Sequence, residues 1–169
     1  MSRVVVGLAL AALMTVGLGG AAGTAGAATH RAVPEVIKVP AGNKRIALMP
    51  ATGVQTYQCT AGAWTFVQPD AILRYRGRAE VLHSKGPVWT DVADGSSVTA
   101  AAQGSSPVPN AIPQLLLKST GNRGPGLLAG VTFIQRLDTR GGVAPTGTCV
   151  EGATASVPYM ADYAFWAAV

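Results

Sequence analysis

The chain is poor in the side chains that carry most chemistry. Its 169 residues include two histidines and two cysteines. These four fall in no C-x-x-C or H-x-x-x-H spacing, which argues against a zinc site. Charged residues make up only 12%. No Lys/Arg run interleaves with aromatics, so a nucleic-acid surface is not expected. No G-x-G-x-x-G opens a helix after a strand, which removes a dinucleotide dehydrogenase. No phosphate loop and no G-x-S-x-G elbow occur either. No cofactor is therefore expected. Long periodic helices are also missing beyond residue 28, and this excludes helical bundles and repeats.

What is present begins at the N-terminus. Arg3 gives a positive start, and residues 4–18 form an apolar run. That run, about 15 residues long, falls short of the ~20 that span a bilayer. Ala25-Gly26-Ala27-Ala28 follows as a small-residue tract. This is the plan of a secretory signal peptide over residues 1–27. The expected location is secreted or extracytoplasmic, with cell-wall association as one form of it. Membrane contact is expected only through this segment if it stays uncleaved. Twelve Lys/Arg and eight Asp/Glu remain after residue 27, a net +4. The charges do not cluster, so a solvated surface with a mild positive bias is the plain reading; an anionic or carbohydrate envelope polymer is the partner it would suit.

Cys59 and Cys149 would then sit in an oxidising compartment, where an even pair reads as one disulfide. It closes a loop of about 90 residues, which the chain-entropy model values near 4.5 kcal/mol.

Residues 28–43 hold Pro34 and Pro40 and read as an extended lead-in; residues 44–169 read as the β-rich domain. Short β-like runs alternate with Gly, Pro and Asp-Gly turn signals. Expected strands are 45–49, 54–60, 64–67, 71–75, 79–83, 88–91, 97–103, 131–137 and 157–166. Residues 104–113, with three prolines, read as a loop. Residues 115–118 fit a buried strand or a helical turn equally. In 131–137, alternation puts Val131, Phe133, Gln135 and Leu137 on one face. In 157–166 it puts Tyr159, Ala161, Tyr163 and Phe165 together. The fold class is all-β: a single-domain β-sandwich or partly open β-barrel stapled by one disulfide.

Several segments carry a resemblance. They include Gly53-Val54-Gln55-Thr56-Tyr57-Gln58-Cys59, Gly86-Pro87-Val88-Trp89 with His83, and Ile112-Pro113-Gln114-Leu115-Leu116-Leu117. Val131-Thr132-Phe133-Ile134-Gln135-Arg136-Leu137 and Val157-Pro158-Tyr159-Met160-Ala161-Asp162-Tyr163 continue the pattern. With these the chain resembles the secreted domain of unknown function 3455 family across most of residues 33–166. The resemblance implies no established activity. Some members carry a malate dehydrogenase label, which the missing dinucleotide fingerprint does not support.

His83 is the leading titratable candidate, near Trp89, Asp91 and Asp94 across a Gly-Pro turn. A histidine beside a carboxylate suits acid–base work, and an aromatic suits stacking. The plainer reading is a histidine bonded within its own loop. Trp89, Arg136, Arg140 and Asp162 are candidate binding residues, and Arg136 is a reasonable partner for Asp162. The tyrosines and tryptophans read as core by default. The leading function is a non-enzymatic extracellular or envelope-associated binding domain. The alternatives are a hydrolase- or lyase-like extracellular enzyme using His83 with Asp91 or Asp94, and a self-assembling surface protein. Cleavage after Ala27 would leave Ala28-Thr29-His30, whose amine, amides and imidazole suit square-planar Cu(II) or Ni(II). Mass spectrometry of the exported chain should find Ala28 first; a start at Thr29 removes that metal site.

Overall fold

A computed structural model describes residues 32–169 together with Met1. The expected signal segment and the His30 site lie outside the described residues. Eight antiparallel strands follow in chain order: β1 (Asn43–Thr60), β2 (Ala63–Tyr75), β3 (Arg78–Ser84), β4 (Val88–Asp91), β5 (Ser97–Val108), β6 (Ala111–Arg123), β7 (Val131–Gly141) and β8 (Thr154–Ala168). Each pairs with the next, and β8 returns to β1, so the sheet closes into a ring. Strand lengths range from 4 to 18 residues. The ring is accordingly no regular barrel. The all-β expectation and the disulfide both hold.

The strands run longer than local sequence suggests. Residues 45–49 and 54–60 merge into β1 through Pro50, and 64–67 and 71–75 merge into β2 through Pro69. The expected loop 104–113 is instead a hairpin. Val108 pairs with Ala111 around Pro109 and Asn110, and Asn110 takes φ 57°. Pro107 survives there because the register shifts between Ser106 and Val108. Pro113 lies where the β6–β7 register breaks, between Ala111 and Leu115. At such irregularities a missing N–H removes no ladder bond. Residues 115–118 are strand.

Alternation sends one side of each strand inward. On β8 these are Tyr159, Ala161, Tyr163 and Phe165, all buried in the core as expected. On β7 the pattern differs from the expectation. A bulge between Val131 and Phe133 shifts the phase, so Val131 and Ile134 share the core. Gln135 then faces outward. A one-residue slip reverses every later side chain, and residue spacing alone does not reveal it.

The lead-in covers that outer face. Pro34 precedes a single 3₁₀ turn, Glu35–Ile37. Lys38 pairs with Glu35 beside it. Gly104, Leu116, Gln135 and Ala164 form a cross-strand row on β5–β8. The Ile37 carbonyl accepts from Gln135 Nε2 at 2.6 Å, and Ile37 is fully buried. A Cβ on Gly104 would fall on the Val36 carbonyl, so only glycine admits this close approach.

The segment 142–153 is pinned to β1. Tyr57 donates to the Gly142 carbonyl at 2.6 Å. Cys59 exchanges backbone bonds with Ala153 and Gly152 at 2.8 and 3.0 Å. The Cys59–Cys149 disulfide joins residues 90 apart in sequence. Reduction, or Cys59→Ala, should lower unfolding free energy by about 4 kcal/mol. Urea titration of oxidised and reduced protein measures it, and coincident curves would contradict a stabilising crosslink.

Candidate functional site

The interior is filled toward one end and hollow toward the other. Met49, Leu73, Val81, Val98, Ile134 and Phe165 pack the filled end. Further along the same strands, Gln55, Val67, His83, Ala100, Arg136 and Tyr163 line a cavity of about 800 Å³. The filled end is sealed by a turn. The Asp91 carboxylate accepts from Ala93 N–H and Asp94 N–H at 2.8 and 3.1 Å. The Asp94 carboxylate accepts from Ser96 N–H and Leu127 N–H, both at 2.7 Å. The Ser96 side chain first, and then these two N–H groups, hold the Asp94 carboxyl below its usual value. Leu128 N–H donates to Ser96 Oγ at 3.0 Å, and Leu128 is fully buried.

The short β3–β4 hairpin opens a side window. β2 pairs with β3 only over residues 71–75, and β4 pairs with β5 only over residues 97–99. Residues 63–70 of β2 and 100–108 of β5 therefore face each other with no strand between. The hairpin tip, Lys85-Gly86-Pro87, borders the gap. Exposed Phe66, Lys85 and Ala102 line the cavity there, so it communicates with solvent.

The wall is mostly apolar: Val67, Pro69, Ala100, Ile112, Leu115 and Leu117. An aromatic cluster forms one side. His83 and Trp89 are directly paired across β3–β4, and their rings stack at 4.2 Å and 3°. Tyr163 presents edge contacts to both, at 5.4 and 5.8 Å. Tyr163 and Tyr159 hydroxyls lie 3.3 Å apart. Burial raises the pKa of both, so both stay neutral.

His83 Nδ1 lies 3.0 Å from the Val88 carbonyl. A carbonyl only accepts, so Nδ1 carries the proton and Nε2 keeps a lone pair. Burial pushes the pKa down to about 4, against the Val88 bond that raises it. The ring is neutral at pH 7. It makes no hydrogen bond to Asp91 or Asp94.

Arg136 enters from β7 opposite Tyr163. Its Nε donates to the Pro113 carbonyl at 3.0 Å. Its charge acts on Tyr57, His83, Tyr159 and Tyr163 alike, which places the guanidinium among them. Asp162 pairs with Leu137 instead and lies one position out of phase with Tyr163. The two candidates are thus on opposite faces of the sheet. Burial, with Asp138 nearby, raises the Asp162 pKa, while Arg140 lowers it. Arg140 is exposed.

Two buried donors near the cavity lack partners. Gln55 is 3% exposed and Trp89 1%, and neither Gln55 Nε2 nor Trp89 Nε1 is bonded. Both residues line the hollow. Such groups each cost about 1–3 kcal/mol unless an acceptor meets them. Sequence reading missed Gln55, whose only signal is a polar residue in phase with Ala51 and Tyr57. Among the described residues, no group of three His, Cys, Asp or Glu could hold a metal.

Residues 40–167 match the family model described as protein of unknown function (DUF3455). The chain belongs to this family. No curated protein and no solved structure matches the chain significantly. The matched span of this DUF3455 chain includes all eight strands almost entirely, and with them every residue that lines the cavity.

The buried histidine gives a pH dependence. The unfolded imidazole titrates near 6.5 and the folded one near 4. Between these values the unfolded chain binds the extra proton, so stability falls as pH drops through 6.5 and levels off below 4. The loss from pH 7 to pH 5 should be about 2 kcal/mol. His83→Phe, which keeps a ring against Trp89, should flatten that part of the profile. Chemical denaturation at both pH values checks it, and an unchanged slope in the variant would assign the effect elsewhere.

Proposed function

We propose that this DUF3455 chain is an extracytoplasmic binding domain that holds a small, mostly apolar molecule inside its ring. The observation carrying this reading is the hollow itself: an apolar cavity, open at one side, with unpartnered donors on Gln55 and Trp89. Its volume lies in the range of small-ligand sites, and a few polar groups on an apolar wall are their usual composition. The disulfide is consistent with the extracytoplasmic setting. A polymer platform is less well supported. The aromatic cluster of His83, Trp89 and Tyr163 is buried, so no flat aromatic surface faces outward there.

A second reading keeps one observation. The neutral His83 ring lines the cavity with a nitrogen free to take a proton. That suits a base in an enzyme. Asp91 and Asp94 do not orient it: Asp91 Oδ1 and both Asp94 oxygens hold backbone N–H groups of the turn, and the buried Asp91 Oδ2 bonds to no side chain.

Nile red, a neutral dye that brightens in apolar surroundings, should bind the protein with saturable fluorescence. Ala102→Trp, at the exposed rim, should block the window and cut that signal at least tenfold. The variant should fold, because residue 102 is exposed. Equal dye binding in both proteins, with both folded by circular dichroism, would sink the cavity reading.

A further inference from the structure

We infer that the ligand carries a single carboxylate on an apolar body, and that Arg136 receives that carboxylate within the cavity. This rests on the cavity reading above and names the chemistry of its occupant. The argument is one of charge. Arg136 and Lys85 line the hollow, and no Asp or Glu does. Among the described residues, the one ion pair within 4 Å is Lys38 with Glu35 on the lead-in. Arg136 thus has no carboxylate partner, although it is only partly exposed and stands among aromatic and aliphatic walls. A charge in such surroundings is costly unless paired. Evolution would more cheaply place an apolar side chain there if the site held a neutral molecule.

The remaining donors agree in sign. Arg136 uses Nε on Pro113 and meets the Tyr163 hydroxyl with its guanidinium, whose remaining N–H groups suit a carboxylate. Gln55 Nε2 and Trp89 Nε1 add donors without acceptors. One deep cation calls for a monoanion, since Lys85 is exposed at the rim and already solvated. The apolar body follows from the walls: Val67, Ala100, Ile112, Leu115 and Leu117 offer nothing to a second polar group.

The test compares matched acids and alcohols by Nile red displacement at pH 8 and 0.15 M salt. The pairs are decanoate with decan-1-ol, and 2-naphthoate with 2-naphthalenemethanol, all below their micelle or solubility limits. In wild type, at least one acid should bind tenfold or more tightly than its alcohol. Arg136→Gln should erase that preference while leaving the alcohol within about threefold, and Lys85→Gln should retain it. Circular dichroism confirms that each variant folds. If Arg136→Gln does not fold, the wild-type ratio still decides. Acid and alcohol binding equally would overturn the carboxylate inference and leave the cavity reading intact. A preference lost in Lys85→Gln but kept in Arg136→Gln would overturn the role of Arg136. If Nile red itself does not bind wild type, both ideas fall together.

Discussion

The pairing of β1 with β8 is the constraint on which the rest of the structure depends. It runs from Asn43 against Ala168 to Gln58 against Thr154. Through it the first and last strands become neighbours, and the interior acquires a closed wall. It sets Tyr159 opposite Gly53 and Tyr163 opposite Met49, residues more than a hundred positions apart in sequence. It also removes the two long outer edges that would otherwise invite pairing with other chains. Non-local pairing of this kind has a large loop-closure cost. The Cys59–Cys149 bridge and the Tyr57–Gly142 hydrogen bond lie at one end of that same seam, where they limit fraying.

Closure alone would give a packed barrel. The hollow arises because the opposite side is short. β3 has 7 residues and β4 has 4, while their flanking strands have 13 and 12. The inward positions near the window are then small or absent: Ala100 and Ala102 on β5, and Pro69 on β2. A hollow forgoes dispersion contacts that a filled core would make. The filled end offsets this with Phe165, Leu73, Met49 and Ile134, each contributing about 1.5–3 kcal/mol of burial. Gly142 shows how tightly the rim is fitted. It takes φ 77°, and a Cβ there would press on Tyr159, Gln55 and Ile112.

Much of the fold was legible. Turn signals and alternation pointed to an all-β domain, the cysteine pair to one disulfide, and β4 was placed to the residue. What failed was local. Prolines at 107 and 113 read as loop because the bulges that accommodate them depend on partner strands. The grouping of Val131 with Phe133, Gln135 and Leu137 failed because a bulge at residues 131–133 resets the phase of β7. The site was less legible. His83, Trp89 and Arg136 stood out as unusual residues in a poorly charged chain. Their grouping did so only in part: the plainer reading of His83 as bonded within its own loop agrees with its contact to the Val88 carbonyl, whereas the alternative match with Asp91 or Asp94, and that of Arg136 with Asp162, do not form. Sequence proximity suggested the aspartates, and the setting of Asp162 between two tyrosines suggested a charged partner for it. In the fold the aspartates hold a turn, and Asp162 lies on the other side of the sheet.

Composition and residue order determined the class of structure, because periodicity and turn chemistry are properties of short segments. They also determined the scarcity of charge that makes one inward arginine conspicuous. The tertiary structure alone decided that the ring closes, that one end of its interior is hollow, and that Arg136, His83, Trp89 and Gln55 line that space. Those facts follow from register and strand length across distant segments. No local pattern encodes which residues will meet when a sheet of eight strands bends back on itself.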